Sequence, residues 1–214
     1  MASRVSYKIF LLAVLHGIFI TTFFSQQVEI RFNHLSINDG LSQSTVYCIL
    51  QDDEGYIWVG TQDGLNKYDG YTISQYKHQI DNDQSLSNSY INSLCKADDG
   101  GFWIGTQRGG LNYYNKERKE FKHIKLPGNL DKANVFKVLR DHDNRVWLGT
   151  VNYGLICYNP KDSSAQVYNK QNGLPSNNIY DLFLDNESLI VATNSNEIVK
   201  LNFKNNKVEQ QSDW

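Results

Sequence analysis

The chain has 214 residues, of which 40% are hydrophobic and 13% aromatic, and its formal net charge is −2 at pH 7. That hydrophobic content is enough to form a core, which excludes a globally disordered chain. The lack of a basic excess gives no indication of a nucleic-acid partner. With 13 Tyr, 10 Phe and 4 Trp beside 3 Pro and 1 Met, the composition favours strands.

The first 27 residues differ in character from the rest of the chain. Arg4 and Lys8 precede an apolar run over residues 9–24, and a polar chain follows. This order predicts a secretory signal, since the run is shorter than the about 20 residues that a membrane span needs. An uncleaved anchor is the alternative, because no clean small-x-small cleavage site precedes Gln26. We therefore predict an exported protein with no membrane segment beyond residues 1–27.

The rest of the sequence repeats one motif at a nearly fixed interval. YIWVGTQDGLNKYDG (56–70) recurs with changes as FWIGTQRGGLNYYN (102–115) and VWLGTVNYGLICYN (146–159), and a divergent copy, LIVATNSNEIVKLNF, covers 189–203. A period of this length indicates a repeat architecture. The anchor position recurs at intervals of 45, 44 and 43 residues: Trp58, Trp103, Trp147 and Ile190.

Each copy divides into four short runs rich in Val, Ile, Tyr and Trp, separated by turns that contain Gly, Asp or Asn. Such runs predict antiparallel hairpins. Both faces of the second run are apolar, with Trp58 on one face and Ile57 and Val59 on the other, so each sheet needs a cover on both sides. The tryptophans are predicted to pack between neighbouring units. In the first copy the predicted strands are residues 44–51, 56–61, 65–68 and 71–78.

Radial repetition of four-stranded antiparallel sheets supplies that cover, and we therefore predict an all-β fold, a β-propeller. Residues 28–39 resemble the joins between the units and predict an orphan N-terminal outer strand. Since the fourth unit carries its own outer strand, the ring is predicted to be incomplete. The predicted blades are residues 40–84, 85–128, 129–172 and, in degenerate form, 173–214.

Acidic residues recur at the turn between the first and second strands of each unit. Paired carboxylates serve glycosidases, but these recur at equivalent turns, where Asp side chains bond the turn backbone. We therefore predict a structural role and no catalytic residue. The set is Asp52, Asp53, Glu54, Asp98, Asp99, Asp141, Asp143, Asp185 and Glu187.

No metal or cofactor site is predicted. His34, His78 and His123 each lie two residues after an aromatic residue of an outer strand. Equivalent positions on successive units diverge from one another, so the three cannot bind one ion. The sequence has no phosphate-binding loop, no G-x-S-x-G motif and no catalytic Cys–His pair, and we predict no cofactor.

Three cysteines, Cys48, Cys95 and Cys157, lie in different units and at different positions within them. An odd number cannot pair completely within the chain. Buried thiols in strands are the favoured interpretation, and a disulfide or a metal site is the alternative.

In an up-and-down sheet, the turns between the second and third strands share one end with the connections that enter the next unit. The acidic turns occupy the opposite end. Variable loops on a rigid scaffold often carry specificity, and the amide, charged and aromatic groups at the first end would suit a polar glycan. For any single one of these residues, a solvated loop position is the favoured interpretation. The predicted ligand-binding residues are Gln62, Asp63, Gln107, Arg108, Asn152 and Tyr153.

The pattern GLS…D-x-x-G-x-[IL]-W-[IVL]-G-T…GL…Y resembles the two-component regulator propeller repeat. Residues 40–70, 86–115 and 130–159 match it well, and 173–203 match in outline, with Ile190 and Ala192 in place of Trp and Gly. Together with the signal segment and the lead-in FNHLSINDGLSQSTV, the chain resembles the N-terminal part of a periplasmic sensor from the hybrid two-component family.

That resemblance implies two tandem propellers, an immunoglobulin-like domain, a membrane helix and a histidine kinase, often followed by a receiver and a helix-turn-helix. It also implies oligosaccharide ligands whose binding changes the geometry of a dimer. The sequence shows no phospho-accepting His region, no nucleotide-binding Gly box and no basic recognition helix, so this chain is not predicted to be a kinase.

Three hypotheses for function remain. The first is a non-catalytic, carbohydrate-responsive sensing propeller that is completed by further blades and a sensor dimer partner. The second is a stand-alone secreted binding or scaffold module. The third and weakest is a propeller glycosidase or lyase.

Overall fold

The structure, a computed structural model, describes residues 32–186, 188–195 and 197–203, together with the backbone of residues 207–211. The predicted signal segment lies outside the described residues. Within the described ranges, no helix has the length and apolar character needed to span a membrane. The described residues from Leu35 onwards belong to one compact unit.

The described residues form sixteen strands in four sheets, here called blades 1 to 4. Blade 1 contains β1 (Val46–Gln51), β2 (Ile57–Thr61), β3 (Gly64–Tyr68) and β4 (Ile73–Tyr76). Blade 2 contains β5 (Ile91–Lys96), β6 (Phe102–Thr106), β7 (Leu111–Asn115) and β8 (Glu120–His123). Blade 3 contains β9 (Asn134–Arg140), β10 (Val146–Val151), β11 (Leu155–Asn159) and β12 (Ser164–Tyr168). Blade 4 contains β13 (Ile179–Asp185), β14 (Ser188–Thr193), β15 (Ile198–Asn202) and β16 (Lys207–Gln211).

Every blade is an antiparallel meander in which consecutive strands are hydrogen-bonded neighbours. The strands predicted in the first copy are therefore confirmed, with ends that differ by at most two residues. In each blade the pairing of the first two strands is interrupted by a β-bulge at the same place. A bulge leaves one residue unpaired and re-aims its side chain. The unpaired residues are Tyr47, Asn92, Phe136 and Tyr180.

The first strands of the blades pack against one another, since β1 contacts β5, β5 contacts β9 and β9 contacts β13. Three clusters of buried side chains fill the spaces between successive blades. In each space a tryptophan of the second strand contacts an aromatic ring of the following blade, which confirms the predicted packing role. The ring centroids are 4.7 Å apart for Trp58–Phe102, 6.0 Å for Trp103–Tyr158 and 5.7 Å for Trp147–Phe203.

The glycine of the W-x-G-T motif is explained by the approach of the following blade. A Cβ atom on Gly105 would lie 2.8 Å from Val135 Cγ1, and one on Gly149 would lie 2.9 Å from Ile179 Cγ2. Real Cβ atoms do not approach so closely, so the glycine lets the first strand of the next blade lie directly against the sheet. In blade 4, where no described blade follows, the equivalent residue is Ala192.

Blades 1 and 4 each keep one face uncovered within the described residues. On blade 1, Ile49 is 66% exposed, whereas Val138 at the equivalent position of β9 is 3% exposed. On blade 4, Phe183 is 64% exposed. The described blades therefore do not close into a ring, and the predicted incomplete β-propeller is confirmed.

The connection that enters blade 1 corrects the prediction of an outer strand over residues 28–39. Residues 28–31 lie outside the described part, and residues 32–39 contain no strand. Ile37–Asp39 instead form a 3-10 turn with a capping box, which ends at Gly40 in the left-handed region with φ 107°. Lys170–Asn172 form the same arrangement before blade 4. Each described third strand already has a neighbour on both sides, so it offers no free edge for a further strand.

Candidate functional site

Buried threonines hold the turns between the second and third strands of blades 1 to 3. The Thr61 hydroxyl donates to the Gly64 carbonyl at 3.0 Å, and the Thr106 hydroxyl to the Gly110 carbonyl at 3.1 Å. The side chains of Thr61 and Thr106 are inaccessible to solvent. A buried, satisfied hydrogen bond of this kind fixes the local backbone, so the residues within these turns are presented by a rigid base.

These turns bond to the connections that enter the next blade. The Gly110 N–H donates to the Ala133 carbonyl at 3.0 Å, and the Gly154 N–H donates to the Asn177 carbonyl at 2.9 Å. The prediction that the two kinds of connection share one end of the blades is therefore confirmed. This end is called the top face: the β2–β3, β6–β7, β10–β11 and β14–β15 turns together with the connections into β5, β9 and β13.

The six residues predicted to bind a ligand all lie in top-face turns. Asp63 pairs with Lys77, with 2.7 Å between Oδ2 and Nζ, while Tyr153 is 38% exposed. Arg108 and Asn152 have left-handed backbones, with φ 58° and 74°. Among the described residues, no hydrogen bond or ion pair joins any of the six to another. Their role in binding stays a prediction.

A feature that sequence reasoning missed lies beside these turns, where the bulges interrupt the innermost strands. The Tyr90 hydroxyl donates to the Tyr47 hydroxyl, and the two ring centroids are 5.0 Å apart. Asn92 Nδ2 donates to the Val135 carbonyl at 2.8 Å. Side chains at or beside the bulges thus form a row that crosses all four blades. This aromatic–amide row consists of Tyr47, Tyr90, Asn92, Asn134, Phe136 and Tyr180.

The row offers both ring faces and uncharged polar groups. Phe136 and Tyr180 meet edge to face with centroids 5.4 Å apart, and they are 37% and 47% exposed. The hydrogen bond to Tyr47, with a smaller contribution from burial, raises the pKa of Tyr90 to about 12. Tyr90 therefore keeps its proton at physiological pH, and the row can stack on a ring and exchange hydrogen bonds with hydroxyl groups.

One signal in the sequence could have indicated this row. In three of the four copies an aromatic residue directly follows a β-branched residue near the start of the first strand, as in Val46–Tyr47, Val135–Phe136 and Ile179–Tyr180. Alternation in a regular strand would place these aromatic side chains on one of the two covered faces. The bulge removes them from that alternation, so the sequence pattern alone did not show their exposure.

The acidic turns at the opposite end, called the bottom face, have the structural role predicted for them in blades 1 and 3. Asp52 Oδ2 accepts the Trp58 indole N–H at 2.8 Å, and Asp52 Oδ1 accepts the Tyr56 N–H at 3.0 Å. Asp141 accepts the Trp147 indole N–H at 2.8 Å in the same way and is 3% exposed. These two carboxylates are occupied by bonds that hold the turn and the tryptophan.

The histidines and cysteines occupy separate structural positions. His78 Nδ1 lies 2.8 Å from the Leu86 carbonyl oxygen, and His123 Nε2 lies 2.8 Å from the Ser85 carbonyl oxygen. In the described part of the chain, no group of three or more His, Cys, Asp or Glu side chains is arranged to hold a metal ion. All three cysteines are free and partly buried. Burial raises the pKa of Cys48 and of Cys157 to about 12.

Comparisons with known proteins agree with this architecture. The family model described as "Two component regulator propeller" matches residues 40–63 and 85–108. A protein named histidine kinase P4, from Formosa agariphila, is 44% identical over 61 residues, which are 28% of this chain and 4% of that protein.

Solved structures extend the similarity to most of the chain. A protein described as the extracellular domain of the hybrid two-component system BT3049 from B. thetaiotaomicron matches with a TM-score of 0.73 and 26% identity, covering 84% of this chain and 26% of that one. The extracellular domain of BT4673 from B. thetaiotaomicron matches with a TM-score of 0.71 and 22% identity, covering 84% and 28%. The WD40 β-propeller domain of Doa1 matches in fold alone, with a TM-score of 0.59, 12% identity and coverage of 80% and 54%.

The chain thus spans about a quarter of the length of the two extracellular domains that it matches. Its repeat motif, its four blades and its sequence matches lead to one conclusion. Residues 40–63 and 85–108 match the two-component regulator propeller family, and most of the chain is similar to the extracellular domain of the hybrid two-component system BT3049.

Proposed function

We propose that this chain is the non-catalytic, ligand-sensing propeller part of a periplasmic two-component sensor, and that it binds a glycan on its top face. The observation that carries the proposal is the aromatic–amide row, in which exposed rings alternate with half-buried amide and hydroxyl groups across four blades. The similarity to extracellular domains supports export of the chain.

The chemistry of the row suits a sugar. The ring of an aromatic side chain packs against the apolar face of a ligand, and the hydroxyl group of a tyrosine can form a hydrogen bond at the same time. Phe136 and Tyr180 supply ring faces, and Asn92 and the Tyr47 hydroxyl supply hydrogen-bonding groups nearby. The predicted residues Asn152 and Tyr153 extend the same surface on blade 3, because the Asn152 N–H bonds Asn178 Oδ1 at 2.8 Å in the connection that enters β13.

Sensing requires that the propeller transmit binding to other parts of a longer protein. The uncovered faces of blades 1 and 4 are suited to further blades, since Ile49 and Phe183 expose apolar surface there. A kinase and a dimer partner in that longer protein would convert glycan binding into a signal. Neither a glycosidase nor a lyase is proposed, because Asp52 and Asp141 already accept bonds from their own turns.

The proposal is tested by isothermal titration of the purified chain with a panel of plant and host oligosaccharides. For a glycan that binds, we expect Phe136→Ala and Asn92→Ala each to weaken the affinity about tenfold or more, as removal of a central contact does. Tyr71→Ala is the matched control, because Tyr71 is 95% exposed in the β3–β4 turn, outside the row. Binding that all three variants leave unchanged, or turnover of the glycan, would contradict the proposal.

A further inference from the structure

Blade 2 departs from its neighbours at one position of the bottom face. The turn between the first two strands has the same backbone in blades 1, 2 and 3, where one N–H donates to a carbonyl four residues later. The distance is 3.0 Å in each of the pairs Asp52–Tyr56, Ala97–Gly101 and Asp141–Arg145. The side chain at the first position of the turn differs, because blade 2 has Ala97 where blades 1 and 3 have aspartate.

That exchange leaves hydrogen-bond donors without acceptors. In blade 3, Asp141 accepts both the Trp147 indole N–H at 2.8 Å and the Asp143 main-chain N–H at 3.0 Å. In blade 2, the equivalent Trp103 indole N–H and Asp99 main-chain N–H donate to no group among the described residues. Trp103 is only 7% exposed, but its indole N–H is not closed off from solvent, so a ligand group can reach it in the place that aspartate takes in blades 1 and 3. The site is therefore open to an acceptor from outside the chain.

An open cavity lies at this place. It has a volume of about 330 Å³ between blades 2 and 3, which falls at the lower end of the roughly 300–1,000 Å³ range of small-molecule sites. Its wall is mostly apolar, with charged groups at the mouth. Besides Ala97, Asp98 and Asp99, the cavity is lined by Trp103 and Tyr113 of blade 2 and by Arg140, Asn144, Pro160 and Lys161 of blade 3.

A second exchange gives the cavity an aromatic wall. In blade 3 the turn ends in Arg145, whose Nε lies 2.7 Å from Asp141. Blade 2 has Gly101 instead, and a side chain there would clash with Tyr113. The Tyr113 ring consequently lies beside Trp103 with centroids 4.7 Å apart. Blade 3 has the equivalent tryptophan, Trp147, but its cross-strand partner is Cys157. Blade 2 thus has one additional ring and lacks the ion pair.

The charges at the mouth leave a cation available. Arg140 is paired with Asp98 at 2.7 Å, and Asp99 accepts the Tyr113 hydroxyl. Lys161 lines the cavity, and its ammonium group forms no ion pair within the described residues. An anionic group that enters would meet unpaired donors inside and the Lys161 ammonium group at the rim, where the Asp99 carboxylate is held by the Gly101 N–H and the Tyr113 hydroxyl and has no cation partner among the described residues.

We propose that this cavity binds a small organic carboxylate whose carboxylate group takes the place of the missing aspartate. Its oxygens accept the Trp103 indole N–H and the Asp99 N–H, and its ring or apolar body lies against Tyr113 and Pro160. This site is at the opposite end of the blades from the aromatic–amide row, and it does not depend on the proposed glycan site.

The test uses the indole N–H signals of the full, ¹⁵N-labelled chain, which has four tryptophans. Benzoate and D-glucuronate are the probes, and benzyl alcohol and D-glucose are their neutral counterparts. We expect the carboxylates to move the Trp103 signal in a saturable way, while the Trp58 and Trp147 signals stay in place because aspartates already occupy them. The neutral counterparts are expected to leave all the signals unmoved.

Two variants test whether binding depends on the carboxylate group of the probe and not merely on the space in the cavity. Ala97→Asp restores the blade 3 arrangement, so it should move the Trp103 signal without any probe and abolish the response to benzoate. Lys161→Gln keeps the cavity open and removes one charge, and it should weaken carboxylate binding about threefold to tenfold, as loss of a rim charge does.

Three results would overturn the proposal: an unmoved Trp103 signal in the unmodified chain, an equal response to benzyl alcohol and benzoate, or an unchanged response in Ala97→Asp. The comparison of charged and neutral probes in the unmodified chain decides the matter even if a variant does not fold.

Discussion

The spaces between blades and the outer faces of blades 1 and 4 are built from the same repeat but differ in what lies against them. Between blades, Gly105 and Gly149 admit the first strand of the next blade, and Val138 is buried. On the outer faces, Ala192 replaces the glycine and Ile49 is exposed. The glycine of the motif therefore accompanies the close approach of the next blade, whereas at Ala192 no blade among the described residues lies against the sheet.

The largest effect is expected from filling the gap between blades 2 and 3. Gly105→Val should destabilise the chain by about 3 kcal/mol or more, because its Cβ alone would lie 2.8 Å from both Val135 and Val138 and overpacking is costly. Urea unfolding followed by tryptophan fluorescence measures the change.

Ala192→Gly is the matched control for that substitution. It should cost no more than about 1 kcal/mol, the usual price of glycine in a regular element. Equal losses in the two variants would show that the glycine does not serve the contact between blades.

An intermediate effect is expected from removing equivalent apolar side chains on covered and uncovered faces. Val138→Ala should cost about 2 kcal/mol, because Val138 is buried between blades 2 and 3. Ile49→Ala, at the same position of β1, should change the stability by less than about 0.5 kcal/mol. The same unfolding experiment applies, and a larger loss for Ile49→Ala would mean that its face is covered in solution.

The smallest effect expected is the pH dependence of stability that arises from the Cys48 thiol between blades 1 and 2. Burial raises the pKa of Cys48 to about 12, so the folded chain holds this proton more tightly than the unfolded chain does. The associated stabilisation is complete below the unfolded pKa of about 8.5 and is lost as the pH rises from there towards 12.

Alkylation of Cys48 by iodoacetamide at pH 8, followed by mass spectrometry, should accordingly be slower than alkylation of free cysteine, because the thiolate is the reactive form. Rapid modification of Cys48 in the folded chain would place it outside the covered space.

Much of the fold was predictable because its determinants are local. The first copy shows this, since the alternation of apolar residues and the turn glycines located β1 to β4 to within two residues. The outer strand over residues 28–39 was predicted from similarity to the joins, but that similarity reflects the 3-10 turn at Ile37–Asp39 and its capping box.

The candidate sites were less predictable. The variable turns, such as Asn152–Tyr153, could be located from the order of strands alone. The aromatic–amide row could not, because a bulge at Tyr47 or Phe136 depends on how β1 or β9 registers with its neighbour. The cavity at Ala97 was likewise not predictable from the sequence, because it is formed by Trp103 together with side chains from the following blade.

The sequence by itself determined the repeat, the strand order and the division into inward and outward positions, because these follow from the spacing of apolar and turn residues along one chain. Only the tertiary structure decided which aromatic residues are exposed and where a donor lacks an acceptor. Those properties belong to the contact between two blades, and residues about forty-five positions apart in sequence meet there through packing that no local pattern encodes.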